Sequence, residues 1–126
     1  MTRYVTAVLL GAAGFIHADL YLHGYRAIPL VGPAFLLQAS GSFAIAALLL
    51  AGDVLILRLA AAGLAAGALG GFVLSRTIGI GGFVERGFDP APQALISVLL
   101  EVGVLVLLAT PVLSRRLRAR PELAGR

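Results

Sequence analysis

The chain has 126 residues, of which 60% are hydrophobic and 13% charged, and its mean hydropathy is +0.99. A soluble domain of this size could not bury so much apolar surface, whereas a lipid solvent removes the need to. The absence of cysteine excludes disulfides, Cys-ligated zinc, iron–sulfur clusters and thiol catalysis, and the single methionine, Met1, leaves no thioether set for Cu(I).

The first apolar segment runs over residues 4–24. Its ~20 residues suffice to cross a hydrocarbon core of ~30 Å. The polar His17-Ala18-Asp19 and the lack of a small-x-small cleavage site argue that it is retained and is not a signal peptide. Pro29 and Pro33 punctuate a short connection, and Pro33 suits the first turn of a second helix over 33–51. Gly52-Asp53 turns the chain at once into a third segment, 54–74, which makes these two helices a hairpin, with Arg58 placed to snorkel. The longest loop follows, Ser75 to Asp89, rich in glycine and carrying Phe83 and Phe88 as interfacial anchors. Asp89 is a good N-cap and Pro90 a good first helical residue for a fourth segment over 92–112, which Pro111 is expected to terminate. The expected fold is all-α: a membrane-spanning four-helix bundle of antiparallel up-down topology, residues 1–113, followed by a basic tail, 114–126.

Arginine sets the expected orientation, since all ten basic residues are arginine. With the N-terminus inside, Arg3, Arg58, Arg115, Arg116, Arg118, Arg120 and Arg126 lie inside, against Arg26, Arg76 and Arg86 outside. The positive-inside rule then favours both termini in the cytoplasm and a multi-pass protein of the cell membrane. Arg115, Arg116, Arg118 and Arg120 are candidates for contact with anionic lipid headgroups, and the same charges serve as a topology signal. No nucleic-acid partner is expected.

Ionisable groups inside a bilayer are costly and are therefore the candidates for function. Glu101 stands near the middle of the fourth helix, on one stripe with Gln93 and Ser97 at i, i+4, i+8. The second helix offers Gln38 and Ser42, and the first His17 and Tyr21, each pair four apart. The helical rise puts His17 roughly 10 Å, Gln38 roughly 8 Å, Ser97 roughly 9 Å and Glu101 roughly 15 Å below the outer ends of their helices. The expected site is a polar pocket of His17, Tyr21, Gln38, Ser42, Ser97 and Glu101 in the outer half of the bundle. The alternative for each is a structural role, His17 hydrogen-bonding within the bundle and Glu101 held neutral.

A second group, Asp19, His23 and Arg26, shares a face at the outer surface, where an interfacial cap is the simpler reading. His23 lies about 240° around the helix from His17, so the two cannot grip one metal or both be axial ligands of one haem. Gly63, Gly67, Gly71 and Ser75 recur every four residues and form a small-residue face for helix packing.

The stretch IHADLYLHGYRAIPLVGPAFLLQ, Ile16 to Gln38, and the stretch LSRTIGIGGFVERGFDPAPQALISVLLE, Leu74 to Glu101, resemble small four-helix integral membrane proteins common in actinobacteria. The resemblance covers under half the chain and implies topology and lineage, with no particular activity.

Three functional classes remain open on the sequence. The first is a non-enzymatic accessory or partner- or ligand-binding membrane protein, acting alone, as a homo-oligomer or in a larger membrane complex. The second is a small proton-linked transporter using Glu101 and His17, which would require an oligomer. The third is a metal, haem or quinone-binding redox component, for which His17, Glu101 and Gln38 are the candidate groups. No catalytic spacing such as HExxH is present, which weighs against an enzyme and leaves any cofactor unspecified.

Overall fold

A computed structural model describes residues 1–124, with side chains described through residue 119. Four helices make up the described chain: α1 (Thr2–Leu22), α2 (Val31–Ala51), α3 (Leu55–Arg76) and α4 (Gln93–Ala124), with a single 3-10 turn at Tyr25–Ala27. All four are long and apolar enough to cross a membrane. The C-terminal ends of α1 and α3 meet the N-terminal ends of α2 and α4 around one cavity, and the opposite ends meet around a second, more polar one.

The residue distribution is that of a protein dissolved in lipid. The fully buried positions are dominated by small side chains, Ala7, Ala13, Ala39, Ala46, Ala61 and Ala65, with Leu10, Leu49 and Val104 among the larger ones. Large apolar side chains such as Val8, Phe15, Leu37, Ile56, Leu59, Leu99 and Val106 point outward. In water such a surface would aggregate. In a bilayer the tails are as apolar as leucine, so small residues go to the contacts, where they let backbones approach. The pattern identifies the fold as that of a small multi-pass membrane protein.

Among the four neighbouring pairs of helices the contact is most extensive between α1 and α2 and least between α2 and α3. Helices α1 and α2 approach closely at Gly14, where a Cβ would lie 3.0 Å from the Cβ of Ser42 and 3.3 Å from the carbonyl oxygen of Ala39. Ser42 therefore belongs to this helix contact and does not line the cavity. Gly41 against Leu64 and Gly103 against Leu9 supply two further close contacts. The expected packing face of Gly63, Gly67 and Gly71 is not used inside the chain: a Cβ at any of the three meets nothing within 4 Å. Helix α3 instead turns Ala61 and Ala65 inward, both 0% exposed. An alanine already permits close approach, so the glycine spacing alone could not tell which face would be chosen.

The ends of the elements depart from the sequence reading in three places. Helix α2 begins at Val31, two residues early, and Gly32 in its first turn lies so close against the main chain of Arg26 that a Cβ there would collide with it. Pro33 still falls in the first turn, where its missing N–H is not needed. Helix α4 begins at Gln93 and not at Pro90, since Pro92 disfavours helical backbone at Ala91. It then passes through Pro111 to Ala124. Transmembrane helices tolerate proline where nearby groups adjust, and Thr110 Oγ1 donates to the Val106 carbonyl at 2.7 Å beside the break. Arg115, Arg116 and Arg118 stand exposed on this helical extension. The side chain of Arg120, and Arg126, lie outside the described residues. At the α2–α3 turn, Arg58 forks onto Asp53 at 2.7 and 2.5 Å and holds the Asp53 carboxyl below the usual carboxylate range.

The packing makes a direct prediction. Gly14→Leu should destabilise the bundle by about 1–3 kcal/mol through overpacking, and Gly63→Leu should leave its stability nearly unchanged. Unfolding of the purified variants in matched detergent micelles checks the contrast.

Candidate functional site

A cavity of about 150 Å³ lies at the end of the bundle where α1 finishes and α4 starts. Its lining includes His17, Gln38, Ser97 and Glu101, four of the six residues expected to share a pocket. Phe35, Phe72, Leu20, Val31 and Val98 supply apolar wall, and Gly67 and Gly71 of α3 border it. The loop of residues 77–92 contributes Ile80, Phe83, Glu85 and Pro90.

His17 is held by its own helix, and Gln38 by the neighbouring one. His17 is 6% exposed, its Nδ1 lies 2.9 Å from the Ala13 carbonyl one turn back, and its ring meets Phe35 edge-on at 5.2 Å. A carbonyl can only accept, so Nδ1 carries a proton, and in a neutral ring Nε2 is then the acceptor. Gln38 Nε2 donates to the Leu64 carbonyl at 3.0 Å and to Glu101 Oε1 at a long 3.4 Å. Glu101 is 1% exposed, and its second oxygen, Oε2, has no hydrogen-bond partner. Leaving such an atom unsatisfied is expensive whichever protonation state it takes.

The mouth is fastened by Arg76, Glu85 and Tyr25, none of them among the residues expected to form the pocket. Arg76 Nη1 meets Glu85 Oε2 at 2.8 Å, both side chains only 14% exposed. The same guanidinium donates to Ser75 Oγ at 2.5 Å, to the Gly87 carbonyl at 2.9 Å and to the Asp89 carbonyl, and it stacks over Phe72 at 3.9 Å. Tyr25, in the turn between α1 and α2, donates its hydroxyl to Glu85 and stacks on Phe35 at 4.8 Å. Gly79, with φ of +82°, takes the left-handed conformation that ends α3, and its N–H returns to the Leu74 carbonyl at 2.7 Å. The loop is thus a clasped cover. Phe83 packs edge-on against Tyr25 at 5.8 Å and joins the cover, and Phe88 stacks on Phe72 at 5.7 Å. A basic and an acidic residue flanking a glycine-rich loop was the available signal for this pair.

Other candidates fall elsewhere. Tyr21 is half-buried on α1 away from the cavity lining. Ser42 is fully buried in the α1–α2 contact, its hydroxyl oxygen without a partner. Asp19 and His23 do pair, at 3.1 Å between carboxylate and Nδ1, while that nitrogen also meets the Asp19 carbonyl at 2.8 Å. Arg26 leaves their face because α1 stops at Leu22 and Gly24 breaks the helical path. Among the described residues no group of three His, Cys, Asp or Glu side chains is placed to hold a metal ion.

The fold and cavity define a four-helix, membrane-span-capable protein with an acid-bearing internal pocket. No protein-family model, curated protein or solved structure matches the chain.

Burial, the Glu85 hydrogen bond and the Glu85 charge all push the Tyr25 phenol above its ordinary range. Because the folded value is raised, this contribution to stability is intact below the ordinary phenol pKa and is lost as pH rises through the folded one. In an alkaline spectrophotometric titration of the three tyrosines, one phenolate should appear late. That late component should vanish in Tyr25→Phe and move to lower pH in Glu85→Gln.

Proposed function

We propose that this is a ligand-binding multi-pass membrane protein, non-enzymatic in itself, that holds a small molecule in the cavity around Glu101. The observation that carries the reading is the orphaned Oε2 of a fully buried acid at the wall of a cavity large enough for a small molecule. A buried acid kept only for packing is ordinarily hydrogen-bonded within the protein through both oxygens. The other buried orphans, Ser42 Oγ and Gln93 Oε1, belong to residues outside the lining. The clasp at Arg76, Glu85 and Tyr25 supports the same reading, since a semi-buried ion pair with additional hydrogen bonds holds a cover over the space.

The test is a panel of single-ring compounds, cationic, anionic and neutral, read by thermal unfolding in micelles. At least one charge class should raise the unfolding temperature saturably; a ligand at 100 times its Kd stabilises by about 2.7 kcal/mol. Gly67→Leu, which places a side chain where Gly67 leaves open space beside the cavity, should suppress that response. Silence from every class, or an undiminished response in Gly67→Leu, would overturn the reading.

The orientation that fits this reading places the cavity end outside and both termini in the cytoplasm, with Arg115, Arg116 and Arg118 at the anionic inner leaflet. A chain without cysteine suits labelling of introduced thiols in intact cells. Val84→Cys should react with an impermeant maleimide directly, and Ser114→Cys only after permeabilisation. The reverse pattern would invert the orientation.

A further inference from the structure

We propose that the ligand of this cavity is a small organic cation, a primary or secondary ammonium carried on an apolar body of about one ring. The proposal rests on the binding reading above and adds the chemical class.

Unused hydrogen-bonding capacity around the cavity selects the guest. The Nδ1–H of His17 is committed to the Ala13 carbonyl, so with the ring neutral Nε2 can only accept. The amide nitrogen of Gln38 is shared between the Leu64 carbonyl and Glu101 Oε1, which leaves the amide oxygen as an acceptor. Glu101 Oε2 has no partner at all. Arg76 is the guanidinium on the lining, and its donors are engaged by Glu85, Ser75, Gly87 and Asp89. What the deep wall offers a guest is therefore a set of acceptors, with the Ser97 hydroxyl able to serve either way. A guest that matches it must bring donors.

Charge and shape narrow the class. Arg76 and Glu85 neutralise each other at the mouth, whereas Glu101 has no cationic partner among the described residues. A guest with one positive charge balances an ionised Glu101 and supplies two or three N–H donors at the same atom. Phe35, Phe72 and Phe83 put aromatic rings around the space, and ring faces attract cations; Phe72 already holds the Arg76 guanidinium on one side. A volume of about 150 Å³ admits a benzene-sized body. An anionic guest would face Glu101 with no free cation to meet it. A carbonyl compound such as a quinone would bring acceptors to acceptors unless Glu101 were protonated, which the experiment also addresses.

The probes are benzylamine, benzyl alcohol, acetophenone and benzoate, titrated by calorimetry into the protein in nanodiscs of zwitterionic lipid, with empty nanodiscs as blank. Benzylamine should bind one per chain, at least tenfold more tightly than benzyl alcohol or acetophenone, and benzoate should not bind. Glu101→Gln should weaken benzylamine at least tenfold and leave benzyl alcohol nearly unchanged, with its unfolding temperature reporting that it is folded. The wild-type ranking tests the charge preference even if that variant fails to fold, and His17→Phe, which keeps an aromatic ring and removes Nε2, should cost several-fold for benzylamine. Equal or tighter binding of acetophenone or benzyl alcohol, or an undiminished benzylamine affinity in Glu101→Gln, overturns the cation assignment and leaves the binding reading standing. Failure of all four probes and of every compound in the thermal panel overturns both.

Discussion

Inside a hydrocarbon layer no water completes a broken hydrogen bond, and this constraint shapes almost every choice in the molecule. It dictates helices, because only they satisfy the backbone within one segment. It explains why the hydroxyls of Thr6, Ser40, Thr77 and Thr110 bond back to carbonyls of their own helix, at 2.7 to 2.8 Å. His17 follows the same rule through the Ala13 carbonyl, and Gln38 through Leu64 on the neighbouring helix. Against that background three buried oxygens, on Ser42, Gln93 and Glu101, stand out as exceptions, and only Glu101 belongs to the cavity lining, which gives its exception a direction.

The bundle divides its labour by end. At the far end small residues and the core of Leu10, Leu49, Ala61, Ala65 and Val104 hold the helices together. At the cavity end apolar packing thins and polar fastening takes over: an ion pair, a phenol and four main-chain carbonyls or amides knit the connecting segments into a cover. The Glu85 amide, which donates to the Ser75 carbonyl at 2.8 Å, joins this fastening to the last turn of α3. Stability and site therefore draw on different interactions, so cavity residues such as Ser97 and Gly67 are open to substitution without dismantling the core.

Much of this was legible in the residues. The number of helices and their approximate spans follow from apolar length, and the grouping of His17, Gln38, Ser97 and Glu101 follows from the i, i+4 pattern combined with the helical rise. What escaped were choices among equals. Gly63 and Gly67 look like better packing residues than Ala61 and Ala65, but smallness does not say which face turns inward. Tyr21 and Ser42 have the right depth and the wrong azimuth. Tyr25, Arg76 and Glu85 converge from two connections separated by 60 residues in sequence, a long-range pairing that no local period encodes. The path of α4 through Pro111 depends on neighbours that soften the break, again a matter of context.

That fourth helix has a geometric consequence of its own. Its 32 residues amount to about 48 Å, whereas α1, with 21, measures about 32 Å, close to the thickness of the hydrocarbon layer. The surplus of about 16 Å is taken up by tilt or by projection beyond the layer at the end that bears Arg115, Arg116 and Arg118. Glu101 sits about 12 Å from the opposite tip. One continuous rod thus fixes both the depth of the acid and the height of the arginines, so bilayer thickness, which sets where the rod's charged section can rest, also sets how deep the cavity lies beneath the opposite surface.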